Sequence, residues 1–158
     1  MGLGHFGGGV GVARFLVKQG ANVTITDRSD PETLADSLTQ LQDLPVTTHL
    51  GEHREEDFVN NDLLVVNPAI PKSSPWLQLA RQHNIAQTTE INLFFQRCPA
   101  PIIGVTGING KSTTVSMIAH ILKTAQPDKQ TWLGGNIGKK NLLQQIDQIQ
   151  ANDTIVLE

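Results

Sequence analysis

Apolar positions change period several times along the chain, and each change marks a predicted element. Between Gly7 and Gly20 they fall at Val10, Ala13, Phe15, Leu16 and Val17, the spacing of one helix face, with Gly20 placed to end the helix as a left-handed residue. Val23-Thr24-Ile25-Thr26 is a short β-branched run that predicts a strand ending at Asp27. Ser29-Asp30-Pro31-Glu32 predicts a helix start with proline in its first turn, and Leu34, Leu38 and Leu41 follow at helical spacing. Val46 to Leu50 is a candidate strand. Leu63-Leu64-Val65-Val66 reads as a buried strand stopped by Asn67-Pro68, since neither residue continues a ladder easily. Ser74-Pro75 opens a short helix carrying Trp76, Leu77 and Leu79. Ile85 begins a short edge strand, and Thr89 to Phe95 reads as helix. Trp76 and the run Asn92-Leu93-Phe94-Phe95 are expected to pack in a core.

Cys98-Pro99-Ala100-Pro101 interrupts this rhythm and predicts a boundary, with one domain over residues 1–98 and a second over 99–158. The second opens with the strand Ile102 to Val105, a glycine loop, and a helix whose face is Val115, Ile118, Ala119 and Leu122. Trp132-Leu133 closes another strand, and a last helix carries Leu142, Leu143, Ile146 and Ile149. Strands alternating with helices predict an α/β protein built on parallel sheets covered by helices. Glycines begin at Gly2 with no strand ahead of them, and the last strand stops at Glu158. A glycine turn of this kind ordinarily leaves a β-strand, so the expectation is a piece of a longer protein that lacks its first strand.

Composition narrows the partners. The 158 residues are 39% hydrophobic and 17% charged with net charge -3, which supports packed cores and argues against nucleic-acid binding by phosphate neutralisation. A nucleotide is compatible, because backbone N–H groups and one lysine suffice to hold phosphates. Cys98 is the single cysteine, which excludes an internal disulfide and fits a reducing cytoplasm; it is expected to be an inert thiol. No apolar run approaches a membrane span, so no membrane insertion is expected.

Two glycine loops carry the chemistry. Thr106-Gly107-Ile108-Asn109-Gly110-Lys111-Ser112-Thr113 lies between a predicted strand and helix, the context of a phosphate-binding loop. Glycine lets successive N–H groups turn toward phosphate oxygens, and the helix N-terminus adds positive potential. Lys111 is the candidate catalytic residue, reaching the β- and γ-phosphates of ATP, and the Ser112 hydroxyl is a candidate Mg²⁺ ligand. Gly2-Leu3-Gly4-His5-Phe6-Gly7 matches G-x-G-x-x-G, and Asp27 ends the following strand. That pairing suits a diphosphate with a ribose hydroxyl on the acid, whether from a dinucleotide or a UDP-sugar. A simple dehydrogenase has no use for the second loop, so a nicotinamide-dependent oxidoreductase is the weaker alternative. His49 and His53 are four apart but lack a third ligand at any recognised spacing. They are expected to be solvated surface residues, as is the charged stretch Glu52 to Asp57.

On these residues the chain resembles the Mur ligase family. The loop from Thr106 to Thr113, without the usual early glycine, looks like that family's phosphate loop, and Gly134-Gly135-Asn136-Ile137-Gly138 looks like a second family block. Asn67-Pro68-Ala69-Ile70 resembles a family turn usually written Ser-Pro-Gly-Ile, and Val156-Leu157-Glu158 resembles the strand end that supplies a magnesium-binding glutamate. The asparagine before Gly110-Lys111 speaks against the alanine-adding branch; the first loop with Asp27 and the Gly-Gly-Asn-Ile-Gly block are most similar to the D-glutamate-adding branch.

The resemblance implies a Rossmann-like first domain for the UDP substrate, followed by the beginning of a central ATPase domain. ATP would bind through Thr106 to Thr113, and Mg²⁺ through Ser112 and Glu158. UDP-N-acetylmuramoyl-L-alanine would bind through Gly4, His5, Phe6, Gly7, Asp27, Arg28 and Asn136, with D-glutamate as the second substrate. It implies a cytoplasmic, monomeric enzyme of peptidoglycan precursor synthesis. A histidine and a modified lysine of the family site, and the amino-acid-binding domain, would lie beyond residue 158, so residues 1–158 alone are expected not to ligate. Another Mur or folylpolyglutamate-type ligase is the nearer alternative.

Overall fold

The computed structural model describes residues 1–4, 7–135 and 141–158, and His5, Phe6 and Asn136 lie outside the described residues. The chain divides into two compact units, Met1–Phe95 and Gln96–Glu158. All of the sheet pairings described are parallel, so the protein is a mixed α/β fold with parallel sheets.

In the first unit, α1 (Gly8–Lys18) buries Val10, Gly11, Ala13 and Phe15 and ends at Gln19, with Gly20 at φ 81°. The helix face and its glycine stop are therefore those of the amphipathic pattern. β1 (Val23–Asp27) pairs with β2 (Val46–Leu50). Between them the helix begins later than expected: α2 spans Ala35–Thr39, and residues 31–34 form turns whose Thr33 N–H is held by Asp30 Oδ1 at 2.7 Å. Asp30 offers the backbone a local acceptor that competes with the helix. α3 (Glu56–Val59) precedes β3 (Leu63–Val65), and α4 (Pro75–Gln82) starts with proline in its first turn and precedes β4 (Ala86–Thr88), which pairs with β3. α5 spans Glu90–Arg97.

β3 is not the fully buried strand expected: Leu64 is buried but Leu63 is 40% exposed. Phe95 is likewise exposed while Leu93 and Phe94 are buried, because one side of α5 faces the core and successive helical residues point about 100° apart.

Two apolar clusters hold this unit. One joins Leu3, Val10, Ala13 and Ile25 to Leu34 and Leu41. The other gathers Phe58, Leu64, Leu77 and Ala80, with Trp76 packed against them. Phe58 is fully buried and stacks on Trp76 at 4.9 Å; burying one such ring contributes about 2–3 kcal/mol.

The second unit is a three-stranded sheet in the order β5 (Ile102–Gly104), β7 (Thr154–Leu157), β6 (Thr131–Gly134). The last strand in sequence thus lies in the middle, which places its C-terminal end beside the loops leaving its neighbours. α6 (Lys111–Ala125) buries Val115 and Ala119, two positions of the expected face. The last helical segment, Leu142–Gln148, is a 3-10 helix rather than an α-helix. Asn141 Oδ1 caps it by accepting from the N–H groups of Leu143 and Gln144, and its apolar residues Leu142, Leu143 and Ile146 are buried as expected.

Candidate functional site

In the first glycine loop, Gly2, Gly4 and Gly7 have φ of 77°, 67° and 82°, a region that side-chain-bearing residues enter only at a cost. The Asp27 carboxylate turns back onto this loop. Its Oδ2 accepts from Leu3 N–H at 2.7 Å and Gly4 N–H at 3.4 Å, and its Oδ1 from Ser29 N–H at 2.9 Å. Burial alone would raise its pKa, but the N–H groups of Ser29, Gly4 and Leu3 outweigh it and hold the carboxyl below its ordinary value. Asp27 therefore braces the loop as an anion, and a ribose hydroxyl would share oxygens already engaged. Arg28 is exposed.

Two further braces carry no sequence signature. Ser37 Oγ donates to Gly4 O at 2.9 Å, and Asn67 Nδ2 donates to Gly2 O at 3.2 Å while its Oδ1 accepts from Ala69 N–H. The resemblance places Asn67 in a recurring turn but does not announce that it ties that turn to the loop. Gly9 has a steric role: an added Cβ would lie 2.2 Å from Leu3 O, so glycine is what lets α1 press against the loop backbone.

The two histidines are not solvated. His49 Nδ1 lies 2.7 Å from Asp57 Oδ1, and His53 Nδ1 lies 2.7 Å from Thr26 Oγ1. His53 also meets Phe58 and Trp76 edge-on, and burial lowers its pKa. Asp57, read as part of a solvated charged stretch, is buried. The histidines thus turn to separate partners, and among the described residues no group of three His, Cys, Asp or Glu side chains could hold a metal.

In the second unit, the loop from Thr106 to Gly110 leaves β5 and enters α6, with Gly110 as the N-cap at φ 76°. Among the described residues, no side chain accepts from the N–H groups of Gly107 to Gly110, and Ile108 is 93% exposed. Lys111 Nζ folds over the loop and donates to Ile108 O at 3.4 Å. Ser112 Oγ donates to Glu158 Oε2 at 2.7 Å, joining residues 46 apart in sequence.

The end of β7 is fixed by its neighbours: Val105 N–H donates to Leu157 O, and Glu158 N–H donates to Gly134 O. An added Cβ at Gly135 would fall 2.4 Å from Glu158 O, so this glycine gives the glutamate backbone its room. The result is a hydroxyl and a carboxylate side by side at the N-terminus of a 15-residue helix, beside free backbone amides and one lysine. Hard oxygen donors of this kind fit Mg²⁺, which takes few protein ligands and keeps water and phosphate oxygens. The amides and the helix terminus fit phosphate.

Comparison with known proteins gives the chain a family. Residues 1–88 match the family described as "Mur ligase MurD-like, N-terminal domain". The whole chain is 46% identical to a UDP-N-acetylmuramoylalanine--D-glutamate ligase from Roseiflexus sp. (strain RS-1), covering 33% of that protein. Over 95% of its length it is 38% identical to the protein of the same name from Symbiobacterium thermophilum, again covering 33%. The chain thus spans about a third of the length of these curated relatives. In fold it is similar to the UDP-N-acetylmuramate:L-alanyl-gamma-D-glutamyl-meso-diaminopimelate ligase from Neisseria meningitides, with TM-score 0.58 and 20% identity over 99% of this chain and 50% of that one. No helix among the described residues is long and apolar enough to cross a membrane. A match to the MurD-like front domain over residues 1–88, an α/β fold of parallel sheets and 46% identity along the whole of this chain to a third of a relative's length make the chain a member of the Mur ligase family.

Proposed function

We propose that this chain supplies the UDP-substrate and ATP-phosphate sites of an ATP-dependent ligase that joins D-glutamate to UDP-N-acetylmuramoyl-L-alanine in the cytoplasm. The observation that carries the reading is the Ser112–Glu158 pair at the N-terminus of α6, and the names of the two relatives above support it.

In this reading residues 1–98 bind the UDP end of the substrate and residues 99–158 begin the ATP domain. The amides of Gly107 to Gly110 and the α6 terminus hold the triphosphate. A carboxylate oxygen of UDP-N-acetylmuramoyl-L-alanine attacks the γ-phosphorus of ATP, and the bond to ADP breaks. The amine of D-glutamate then attacks the acyl carbon, loses a proton, and inorganic phosphate leaves as the amide forms. Lys111 swings from Ile108 O toward the β- and γ-phosphates and stabilises charge on the transferring group. Ser112 and Glu158 hold Mg²⁺, which when bound neutralises phosphate charge. Thr106 and Thr113 flank the triphosphate, and Gly4, His5, Phe6, Gly7, Asp27, Arg28 and Asn136 serve the UDP-sugar.

The test is D-glutamate-dependent phosphate release by the full-length protein with ATP and UDP-N-acetylmuramoyl-L-alanine. Lys111→Ala is expected to lower kcat by about a hundredfold or more. Undiminished ligation by that variant overturns the reading, as does a stronger dependence on another amino acid.

A further inference from the structure

Ser37 stands where the pattern of its neighbours calls for an apolar side chain. Leu34 and Leu41, on the same helical spacing, are buried in the cluster that also holds Leu3, and Leu38 packs against that cluster. Ser37 is itself only 3% exposed. A hydroxyl at such depth needs a hydrogen-bond partner, and a helical serine ordinarily finds one in the carbonyl of the preceding turn. Ser37 reaches 33 residues back along the chain and donates to Gly4 O at 2.9 Å.

The neighbouring peptide of the first glycine loop shows what such a bond does. In a trans peptide the C=O and the N–H point in opposite directions, so a partner on one orients the other. The peptide joining Gly2 to Leu3 is held at both ends: Asn67 Nδ2 donates to Gly2 O at 3.2 Å, and Leu3 N–H donates to Asp27 Oδ2 at 2.7 Å. Both of its polar ends are thus engaged within the chain. The peptide that begins with the Gly4 carbonyl is held by its oxygen from the α2 side, which turns its N–H end away from α2.

We propose that Ser37 is a positioning residue for the diphosphate of the UDP substrate. By holding Gly4 O on the core side, it keeps the N–H end of that peptide turned outward for a phosphate oxygen. The inference rests on the reading of the first loop as the UDP-substrate site, and adds to that site a residue that itself touches no substrate.

The packing of Gly4 explains why a clamp is needed. Gly4 has φ of 67°, and an added Cβ would lie 3.1 Å from Asn67 Nδ2, so the position favours glycine. Glycine is also the residue whose backbone is least restrained by its own sterics. The Ser37 hydroxyl supplies the restraint that a side chain on Gly4 would otherwise give. Without it the peptide plane is free to rotate, and a donor that must be ordered on binding holds its ligand less tightly than one already in place.

The loss belongs to the phosphates and not to the nucleoside, and the test uses that difference. UDP and uridine are each titrated against the full-length protein by ligand-observed NMR, and the parent is expected to hold UDP the more tightly. Ser37→Ala is expected to weaken UDP about tenfold, the weight of one hydrogen bond to a charged group, and to move uridine by less than about twofold. Leu38→Ala is the control for stability, because Leu38 packs against the same cluster and its side chain has no donor to offer the loop. It is expected to lower the melting temperature and to leave the ratio of the two affinities unchanged. If Ser37→Ala weakens both ligands equally, or leaves UDP as tight as before, the serine is a structural brace only and the proposal is overturned. A ratio lowered as far by Leu38→Ala overturns it as well. A parent protein that binds UDP no better than uridine fails at an earlier point: it takes the diphosphate out of the first loop, and the UDP reading falls together with the role of Ser37.

Discussion

The two glycine loops look alike in sequence and differ in how their backbone groups are satisfied. In the first, Asp27, Ser37 and Asn67 bond to Leu3, Gly4 and Gly2, so the protein itself supplies partners to the described start of the turn. In the second, no side chain among the described residues accepts from the amides of Gly107 to Gly110, and Ile108 stands in solvent. The first loop is built into the core and its residues are tied to folding. The second is held only by the strand and helix on either side, which leaves its donors free for an anion. A glycine-rich motif therefore reports a backbone shape; whether the shape serves stability or binding depends on what else reaches the amides.

The contrast breaks most sharply at glycine. At Gly9 a methyl group would meet backbone, with Leu3 O at 2.2 Å and Leu3 C at 2.8 Å. Backbone cannot rotate aside as a side chain can. Gly9→Val is expected to cost about 3 kcal/mol or more, measured by urea unfolding of the chain with a probe in the first unit such as Trp76. At Gly110 an added Cβ meets nothing within 4 Å, and the penalty of Gly110→Ala is the left-handed φ alone, roughly 1–2 kcal/mol. Equal losses at the two glycines would remove the distinction between the loops.

Much of this was legible in the sequence because it is local. The α1 face, the β1 run and the Val115–Ala119 face of α6 follow from apolar spacing, and Gly20 and Pro75 mark ends through their own backbone preferences. What was not legible depends on partners distant in the chain. Asp57 sits in a charged stretch yet is buried, because His49 and the Phe58 cluster close over it. His53 finds Thr26, 27 residues earlier. Leu63 belongs to an apolar run, yet lies exposed on a strand with a single described partner. At the sites, the phosphate loop was readable from its strand–loop–helix context. The approach of Glu158 to Ser112 was readable only through family resemblance, and the bracing roles of Ser37 and Asn67 not at all.

The next largest effect is one of pH, and it belongs to the first loop alone. The Met1 amine has an unfolded pKa of 8.0 and a folded value of about 6, lowered by burial against the opposing pull of Asp27 and Asp57. Between those values the unfolded chain binds more protons, so stability rises with pH from about 6 to 8 and levels above. A lowering of this size corresponds to about 2–3 kcal/mol. His53, whose pKa burial also lowers, adds in the same direction up to its ordinary 6.5. Acetylating Met1 is expected to remove the rise between pH 7 and 8, where His53 is already neutral. A melting profile over that interval that is indifferent to acetylation would contradict the buried amine.

Asp27 comes next. Asp27→Ala strands the N–H groups of Leu3, Gly4 and Ser29, and loss of charge-assisted bonds to backbone donors is expected to cost about 1.5–3 kcal/mol. Because its folded pKa is depressed, the carboxylate's contribution is present above the unfolded value of 3.8 and fades as pH falls through the folded one. The variant's deficit should therefore shrink in acid. A deficit that is constant with pH would mean that the side chain acts by packing rather than charge.

The smallest effect on stability is expected where the effect on ligand is greatest. Lys111 makes one long bond, 3.4 Å to Ile108 O, at an exposed position. Lys111→Ala should therefore leave unfolding within about 0.5 kcal/mol of the parent chain. The same substitution removes the lysine whose Nζ lies on the loop at Ile108 O, so the rise in melting temperature produced by Mg-ATP in the parent chain should be largely lost in the variant. The pairing of the two readouts is what separates the loops. A brace such as Asp27 lowers stability with or without nucleotide, whereas a ligand-facing residue changes only the increment that nucleotide adds. If Lys111→Ala destabilised the free chain as much as Asp27→Ala does, the second loop would be a structural turn like the first, and its open amides would need another explanation.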